Sequence, residues 1–160
     1  MGVVVRKKIG VTVAALCMSS IMVSPAVAAP MDQVRGSGKV DFGGTAAHLT
    51  ISAAGTATKA RGHVKFDHPT PYTDEFEDLK AEVTCVSVQG NMASVTARII
   101  DPDPDTFIKY IEVTVQDNGT PGNKKVSDLV YVALSSDSNN CWQDTPWAPL
   151  KSGNFTVKDR

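Results

Sequence analysis

Two cysteines, Cys85 and Cys141, carry the clearest chemistry in this sequence of 160 residues. The third cysteine, Cys17, lies in an apolar N-terminal stretch that has the composition of an export signal. In the oxidising compartment that export implies, a single pair of cysteines forms a disulfide more readily than a metal or redox site. We therefore predict a disulfide between Cys85 and Cys141.

The three histidines, His48, His63 and His68, are the candidate acid–base groups or metal ligands. His48 and His68 approach Asp67 if the surrounding segments form a hairpin, and acid–base catalysis needs a titratable group within hydrogen-bond reach of a substrate. Histidines on exposed strands usually have no chemical role, and the sequence contains no Gly-x-Ser-x-Gly, His-Glu-x-x-His or phosphate-loop motif. The sequence thus favours a protein that is not an enzyme, with no catalytic residues, no metal and no cofactor.

Alternating acids in the segment 101–105, Asp-Pro-Asp-Pro-Asp, resemble a set of calcium ligands. A helix-flanked calcium loop also needs a glycine at its sixth position and a terminal glutamate, and both are missing here. Two prolines stiffen the segment and keep the carboxylates apart. A structural turn is therefore favoured, and weak calcium binding with help from Asp117 or Asn118 is the alternative.

Trp142 and Trp147 lie in an irregular stretch, 136–151, that also contains Cys141. Indoles that cap the core are the favoured interpretation, because tryptophan joins a large apolar body to one polar N–H group. The alternative is an aromatic platform that binds a carbohydrate or a peptide, which makes Trp142 and Trp147 the candidate partner-binding residues. Two further irregular stretches, 68–79 and 101–105, are the other segments in which a localised function is expected.

The N-terminus, residues 1–28, has the three parts of a secretory signal peptide: a basic start, an apolar stretch over 9–23 and the small-residue site Ala26-Val27-Ala28. The apolar stretch is shorter than the roughly 20 residues that cross a bilayer as a helix. Lipid attachment at Cys17 is disfavoured, because Leu16 stands where a small residue is needed. We expect a secreted protein that begins at Ala29 and does not insert into a membrane.

The remaining segment, 29–160, is long enough for one domain. Signal removal would take three of the 16 basic residues and none of the 17 acidic ones, so the exported chain is acidic. Its basic residues are scattered, which argues against a nucleic-acid partner.

Short runs of alternating apolar residues, separated by turn signals, predict an all-β protein. An up-and-down barrel is favoured over a sandwich. The candidate strands cover 34–42, 46–55, 59–67, 81–89, 92–100, 106–116, 126–135 and 153–158.

The second and third candidate strands can pair as a hairpin with separate apolar and polar faces. If Leu49 faces Phe66 and Ile51 faces Val64, the apolar residues share one face and His48 lies on the other. This consistency supports the hairpin.

A second hairpin is predicted around the turn Gly90-Asn91, whose residues can adopt the positive φ values that tight turns need. It places Val86 beside Val95, and it turns Cys85 and Thr96 to the opposite face. A longer turn would reverse this parity.

Four segments in order resemble a family of exported actinobacterial β domains, similar to the modules named post-COAP-1 in bacterial surface and secreted proteins. They are 83–93 (VTCVSVQGNMA), 113–122 (VTVQDNGTPG), 128–130 (DLV) and 152–157 (SGNFTV). The resemblance implies a β fold and an extracellular location and transfers no catalytic residue. The glycine-rich start of such modules is reduced here to 36–38, and the loop with Cys141 and Trp142 is an addition.

These features together favour a secreted β-barrel-like binding or structural module. The alternative is a lipocalin-like carrier, since an eight-stranded barrel either is filled by side chains or holds one small ligand. The expected partner is an extracellular protein, a glycan or a small apolar ligand. The two functions predict different barrel interiors. A carrier needs empty space inside the barrel, whereas a module has an interior filled by side chains.

Overall fold

A computed structural model of the chain describes residues 30–42, 44–69, 78–100, 102, 107–119, 126–138, 141 and 144–160. These residues form eight strands and no helix, and so none of them belongs to a helix able to cross a membrane. The strands are β1 Asp32–Phe42, β2 Thr45–Gly55, β3 Ala60–Asp67, β4 Leu79–Gln89, β5 Met92–Ile99, β6 Tyr110–Gln116, β7 Leu129–Ser135 and β8 Ala148–Lys158.

Each strand pairs antiparallel with the next one along the chain, and β8 pairs with β1, so that the sheet closes into a barrel. The predicted all-β, up-and-down barrel is confirmed. Both hairpin registers are also confirmed: Leu49 lies opposite Phe66 in one, and Val86 lies opposite Val95 in the other. Apolar alternation made these registers predictable. A slip by one residue would turn every apolar side chain of the strand to solvent.

Alternate residues of all eight strands point inward and form one apolar core. Several core side chains expose none of their surface to a water-sized sphere, so they border no void that holds a water molecule. The centre of the barrel is therefore filled at these positions, which are Val34, Val40, Leu49, Val64, Ala81, Val86, Ala93, Val95, Ala97, Ile111, Val115, Val130 and Phe155.

The largest difference from the predicted strands is β8, which begins at Ala148 rather than at residue 153. The segment 136–151 was expected to be irregular, and it includes Pro149, which cannot donate to a strand ladder. The bond from Leu150 N to Asp128 O fixes the alternation of β8, so that the nitrogen of Pro149 points toward β1. The ladder between β8 and β1 ends at the pair Leu150 and Val40, so Pro149 lies one residue beyond it.

The barrel is unevenly closed at β7. This strand pairs with β6 along its whole length, from Leu129 to Ser135, whereas its ladder with β8 contains two pairs, Leu129 with Pro149 and Val130 with Ala148. Beside residues 131–135 of β7 the described residues form no ladder pair with β8, and the buried Pro146 precedes β8 there. We call this stretch the seam. The apolar side chains of Val132 and Leu134 face inward there and are partly exposed.

Two glycines allow neighbouring strands to approach closely. Gly62 has φ of 133°, and a Cβ atom on it would lie 1.9 Å from the carbonyl oxygen of Ser52. Gly153 has φ of 101°, and a Cβ atom there would lie 2.1 Å from the carbonyl oxygen of Ser37. Both positions therefore exclude a side chain, and each lies in a ladder that holds the barrel closed.

Candidate functional site

The meander gives the barrel two ends of different character. At one end the odd-numbered strands finish and the even-numbered strands begin. Phe42, Phe66, His68 and Trp147 meet there, and we call this the aromatic end. The opposite end carries Asp32, Asp117 and Asp128, and we call it the polar end.

The four rings of the aromatic end form a connected cluster. Phe42 is central: its ring centroid lies 6.0 Å from that of Phe66 and 6.0 Å from that of Trp147, both edge to face. His68 lies 6.3 Å from Phe42 and stacks on Phe66 with 5.8 Å between centroids. Such offset and edge-to-face contacts are the geometries that aromatic pairs prefer, so the cluster holds its rings in defined positions.

Trp147 is the exposed member of the cluster. Its side chain is 60% exposed, whereas Phe66 is 5% exposed. Trp147 therefore acts as a core cap only through its contact with Phe42. Most of the indole faces solvent. Trp142, the other candidate, lies outside the described residues.

His68 adds a polar atom to this apolar end. Its Nε2 atom is buried and has no hydrogen-bond partner among the described residues. A buried polar atom without a partner is costly, and a ligand group that donates to it or accepts from it would remove that cost. The aromatic end thus combines one exposed indole with a buried polar atom that has no partner among the described residues.

Cys85 and Cys141 lie at disulfide-bonding distance, as predicted, with their Cα atoms 5.7 Å apart. Cys85 points to the outer face of the sheet beside Thr96, which decides between the two parities that the sequence left open. The backbone N–H of Cys141 donates to Thr96 Oγ1 at 3.0 Å. The disulfide thereby fixes to the outside of the barrel a chain segment that reaches Trp147 six residues later.

The other histidines do not form a site. His48 lies opposite Asp67 on the exposed outer face, while His68 turns into the aromatic cluster, so the strand alternation separates the three residues. His63 is exposed opposite Glu82. Among the described residues no group of three or more His, Cys, Asp or Glu side chains is arranged to hold a metal ion.

The acidic segment 101–105 lies outside the described residues except for Pro102. Its suggested helper Asp117 is already in use: Oδ1 accepts from Gly119 N at 2.8 Å, and Oδ2 accepts from Val157 N at 3.0 Å. Asn118 likewise donates its side-chain amide to the carbonyl of Ser127. Both side chains therefore have structural roles.

Asp78 lies on the rim of the aromatic end at the start of β4. A hydrogen bond from the Lys80 ammonium, at 2.6 Å, and the positive charge of Lys80 lower the pKa of this carboxyl. The pair is exposed to solvent, which weakens such an interaction, and we assign it no binding role.

A groove of about 380 Å³ opens on the outer face of β4, β5 and β6. Arg98 on its wall pairs with Glu82 at 3.6 Å, and both side chains are largely exposed. These two charges already have each other as partners, so we place the contact site on the aromatic cluster. The groove is lined by Glu82, Arg98, Ile99, Ile100, Pro102, Lys109 and Tyr110.

Sequence reasoning placed Phe42 and Phe66 in the barrel interior and did not join them to Trp147. The signal that was available is topological: in a meander the ends of β1 and β3 and the start of β8 lie at the same end of the barrel.

Comparison of the chain with protein-family models, with curated proteins and with solved structures gave no match. The function is therefore argued from the geometry of the site.

Proposed function

We propose that this protein is an exported binding module that contacts its partner through the aromatic end of the barrel. The observation that carries the proposal is Trp147, a large indole that is 60% exposed and is held against Phe42. Tryptophan is enriched among the residues that dominate binding energy at interfaces. A ring that is already positioned loses little conformational freedom on binding, which favours affinity.

Two further features support this choice. The core side chains with no accessible surface leave the outer surface as the place for contacts, which favours a module over a carrier. The disulfide and the sequence features of the signal peptide suit an extracellular protein, where such bridges persist. The sequence likeness to post-COAP-1-type modules agrees with this proposal.

The carrier remains the second candidate, in a restricted form. Partly buried apolar side chains, Phe42, Ile99 and Leu134, lie around the aromatic end. A small apolar ligand would therefore have to bind at this end rather than in the filled centre. Its apolar body would contact these side chains.

The test is to follow the indole N–H resonance of Trp147 while the folded, oxidised protein is titrated with oligosaccharides, extended peptides and an apolar fluorescent probe. We expect a saturable shift with one of these classes, and loss of that response in Trp147→Ala. Phe107→Ala is the matched control, because Phe107 is also aromatic and is 86% exposed outside the cluster. Binding that Trp147→Ala leaves unchanged would refute the proposed contact surface.

Export has its own test. Mass spectrometry of the protein recovered outside the producing cell should show a chain that begins at Ala29 and lacks free thiols on Cys85 and Cys141. Retention of residues 1–28 in that material would contradict a cleaved signal peptide.

A further inference from the structure

The outer surface of the barrel is covered on one side and open on another. On β5 and β6 the outward side chains of Ser94, Thr96 and Thr114 are 1 to 2% exposed, and the disulfide-linked Cys141 bonds to Thr96. On β1, β2 and β3 the outward side chains are exposed or half-buried, in alternation with the buried inward ones. The outer face of β1, β2 and β3 is therefore available for contacts.

Basic residues that are scattered along the sequence meet on this open face. β1 contributes Arg35 and Lys39, and β3 contributes Arg61 and Lys65, all of them exposed. β2 lies between these two strands and contains no Lys, Arg, Asp or Glu. We call the outward face of β2, between the two walls of cations, the trough. Its floor is formed by Ala46, His48, Thr50, Ser52 and Ala54.

The four wall cations alternate from one wall to the other along the trough. They come from β3, β1, β3 and β1 in turn, at positions two residues apart along β2. Because a strand rises about 3.4 Å per residue, successive cations lie about 7 Å apart along the trough, and the backbones of the two walls are about 10 Å apart. The pairs of wall cation and floor residue are Arg61 with Ala54, Arg35 with Ser52, Lys65 with Thr50 and Lys39 with His48.

Two acids bound this positive stretch near the aromatic end. Asp41 on β1 accepts a hydrogen bond from Gly44 N at 3.0 Å, and Asp67 on β3 lies opposite His48. The positive stretch therefore runs from Ala54 to His48, a length of about 20 Å.

The wall cations are not neutralised by the rest of the described chain. None of the four forms an ion pair with another described residue. Lys65 lies directly opposite Lys80 of β4, and like charges in such a pair destabilise a sheet. Asp78 bonds to Lys80, whereas Lys65 has no such bond among the described residues. An anionic ligand in the trough would offset this repulsion.

The regular spacing of the cations indicates the class of ligand. A small anion would contact one or two of them, whereas a linear polymer with repeated anionic groups can contact all four. The outward residues of β1, β2 and β3 include no apolar side chain larger than alanine, which membrane insertion needs, and no Trp, Tyr or Phe on which bases could stack. The hydroxyl groups of Ser37, Thr50 and Ser52 can donate to and accept from sugar hydroxyls.

We propose that the trough binds a linear acidic polysaccharide, which lies along β2 and directs its anionic groups alternately to β1 and β3. Arginine can bind a carboxylate or sulfate with two parallel hydrogen bonds, and lysine binds it as a point charge. The trough is a second contact surface, separate from the aromatic end, and it goes beyond the proposed function.

The test is fluorescence anisotropy of labelled polysaccharides titrated with the folded, oxidised protein. Heparin and polygalacturonate supply sulfate and carboxylate groups, neutral dextran of the same length is the control, and single-stranded DNA is the competing polyanion. We expect saturable binding of both acidic polysaccharides and none of dextran. The affinity should fall by at least about tenfold as salt rises from about 50 to 500 mM, because salt screens exposed charges.

Two double variants with the same change of net charge form a matched pair. Arg35→Gln with Lys65→Gln removes one cation from each wall and should weaken heparin binding by at least about tenfold. Arg98→Gln with Lys109→Gln removes two exposed cations at the groove on β4, β5 and β6 and should change it by less than about twofold.

An uncharged variant tests the shape of the trough. Thr50→Leu raises the floor between the walls and should weaken heparin binding by about fivefold or more. Thr156→Leu is its control, because Thr156 lies on β8, on the far side of β1 from the trough. Equal binding by Thr50→Leu and the unmodified protein would show that the ligand does not lie along β2.

Three other results would overturn the inference: no binding of either acidic polysaccharide, equal losses in the two double variants, or tighter binding of single-stranded DNA than of both polysaccharides. If Trp147→Ala abolishes polysaccharide binding and the wall variant does not, the proposed function stands and the trough inference fails. If the wall variant abolishes it and Trp147→Ala does not, the trough inference stands whatever binds at the aromatic end.

Discussion

The two ends of the barrel are closed by different chemistry. At the polar end, carboxylates accept hydrogen bonds from backbone N–H groups of other strands: Asp32 from Val88 at 3.2 Å, and Asp128 from Phe155 at 2.7 Å. At the aromatic end, the centroids of neighbouring rings lie 5.8 to 6.3 Å apart, and Trp147 is largely exposed.

This difference assigns stability to the polar end and binding to the aromatic end. Each carboxylate of the polar end that bonds to the backbone removes a donor that would otherwise be buried without a partner, so this end holds strands together. The aromatic end leaves most of the Trp147 indole exposed, and an exposed, positioned indole is a group that a partner can bind. Mutations at the two ends should therefore have opposite consequences.

The largest expected effect concerns the disulfide, which ties the segment leading to Trp147 onto the outer sheet. The bridged residues are 56 apart, and closing such a loop stabilises by about 4 kcal/mol in the chain-entropy model. The double variant Cys85→Ala, Cys141→Ala should lose about that much free energy of unfolding in urea. Addition of a reductant to the unmodified protein is the control and should approach the same value, and two free thiols in the oxidised protein would contradict the bridge.

Asp128→Ala tests the polar end. Asp128 is 2% exposed, and its carboxylate accepts from Phe155 N and also from Asn118 N at 2.9 Å. Loss of both bonds leaves donors unsatisfied and should lower the free energy of unfolding by about 3 kcal/mol. Asp159→Ala, in the exposed C-terminal segment, is the control and should change it by less than about 0.5 kcal/mol. Equal effects of the two variants would remove the structural role of the polar end.

Trp147→Ala should change stability little, although it abolishes binding in the proposed function. Most of the indole is already exposed, so the lost contact with Phe42 should lower the free energy of unfolding by less than about 1 kcal/mol. Urea unfolding of this variant beside Asp128→Ala measures the contrast directly. A loss as large as that of Asp128→Ala would make Trp147 a core cap and erase the difference between the ends.

Calcium should have no effect on thermal unfolding. The oxygens of Asp117 and Asp128 are occupied by backbone N–H groups, so they are poor ligands for an added ion. Melting temperatures measured with calcium and with a chelator should agree, because an ion that binds the native state alone would raise the melting temperature. A reproducible rise of several degrees with calcium would point to the segment 101–105 as a site.

Local pairing was predictable because it depends on sequence neighbours. The hairpins of β2 with β3 and of β4 with β5 follow from apolar alternation and turn residues, whereas the sequence left the face of Cys85 open between two turn lengths. The start of β8 was missed because it lies in the segment 136–151, which was expected to be irregular and contains Pro149, a residue that is rare inside strands. Pro149 lies beyond the ladder with β1, so its missing N–H group breaks no ladder hydrogen bond. Where that ladder ends depends on contacts between strands that are far apart in sequence.

The aromatic end could be predicted in part. Trp147 was named from its residue type and its nearness to Cys141, and Phe42 and Phe66 were assigned to the interior. Their contact needed the relation of β1 and β3 to β8, which are far apart in sequence. The structural use of Asp128 was not foreseen, because a buried carboxylate is explained only by the donors that a distant strand brings to it.

The sequence by itself determined the alternating strands, the order in which they form a meander, two hairpin registers and the pairing of Cys85 with Cys141. Only the tertiary structure decided how β8 meets β7 and β1, and hence that two ladder pairs join β8 to β7 among the described residues. The physical reason is the stagger between strands, which accumulates around a closed barrel and is fixed only when the last strand meets the first.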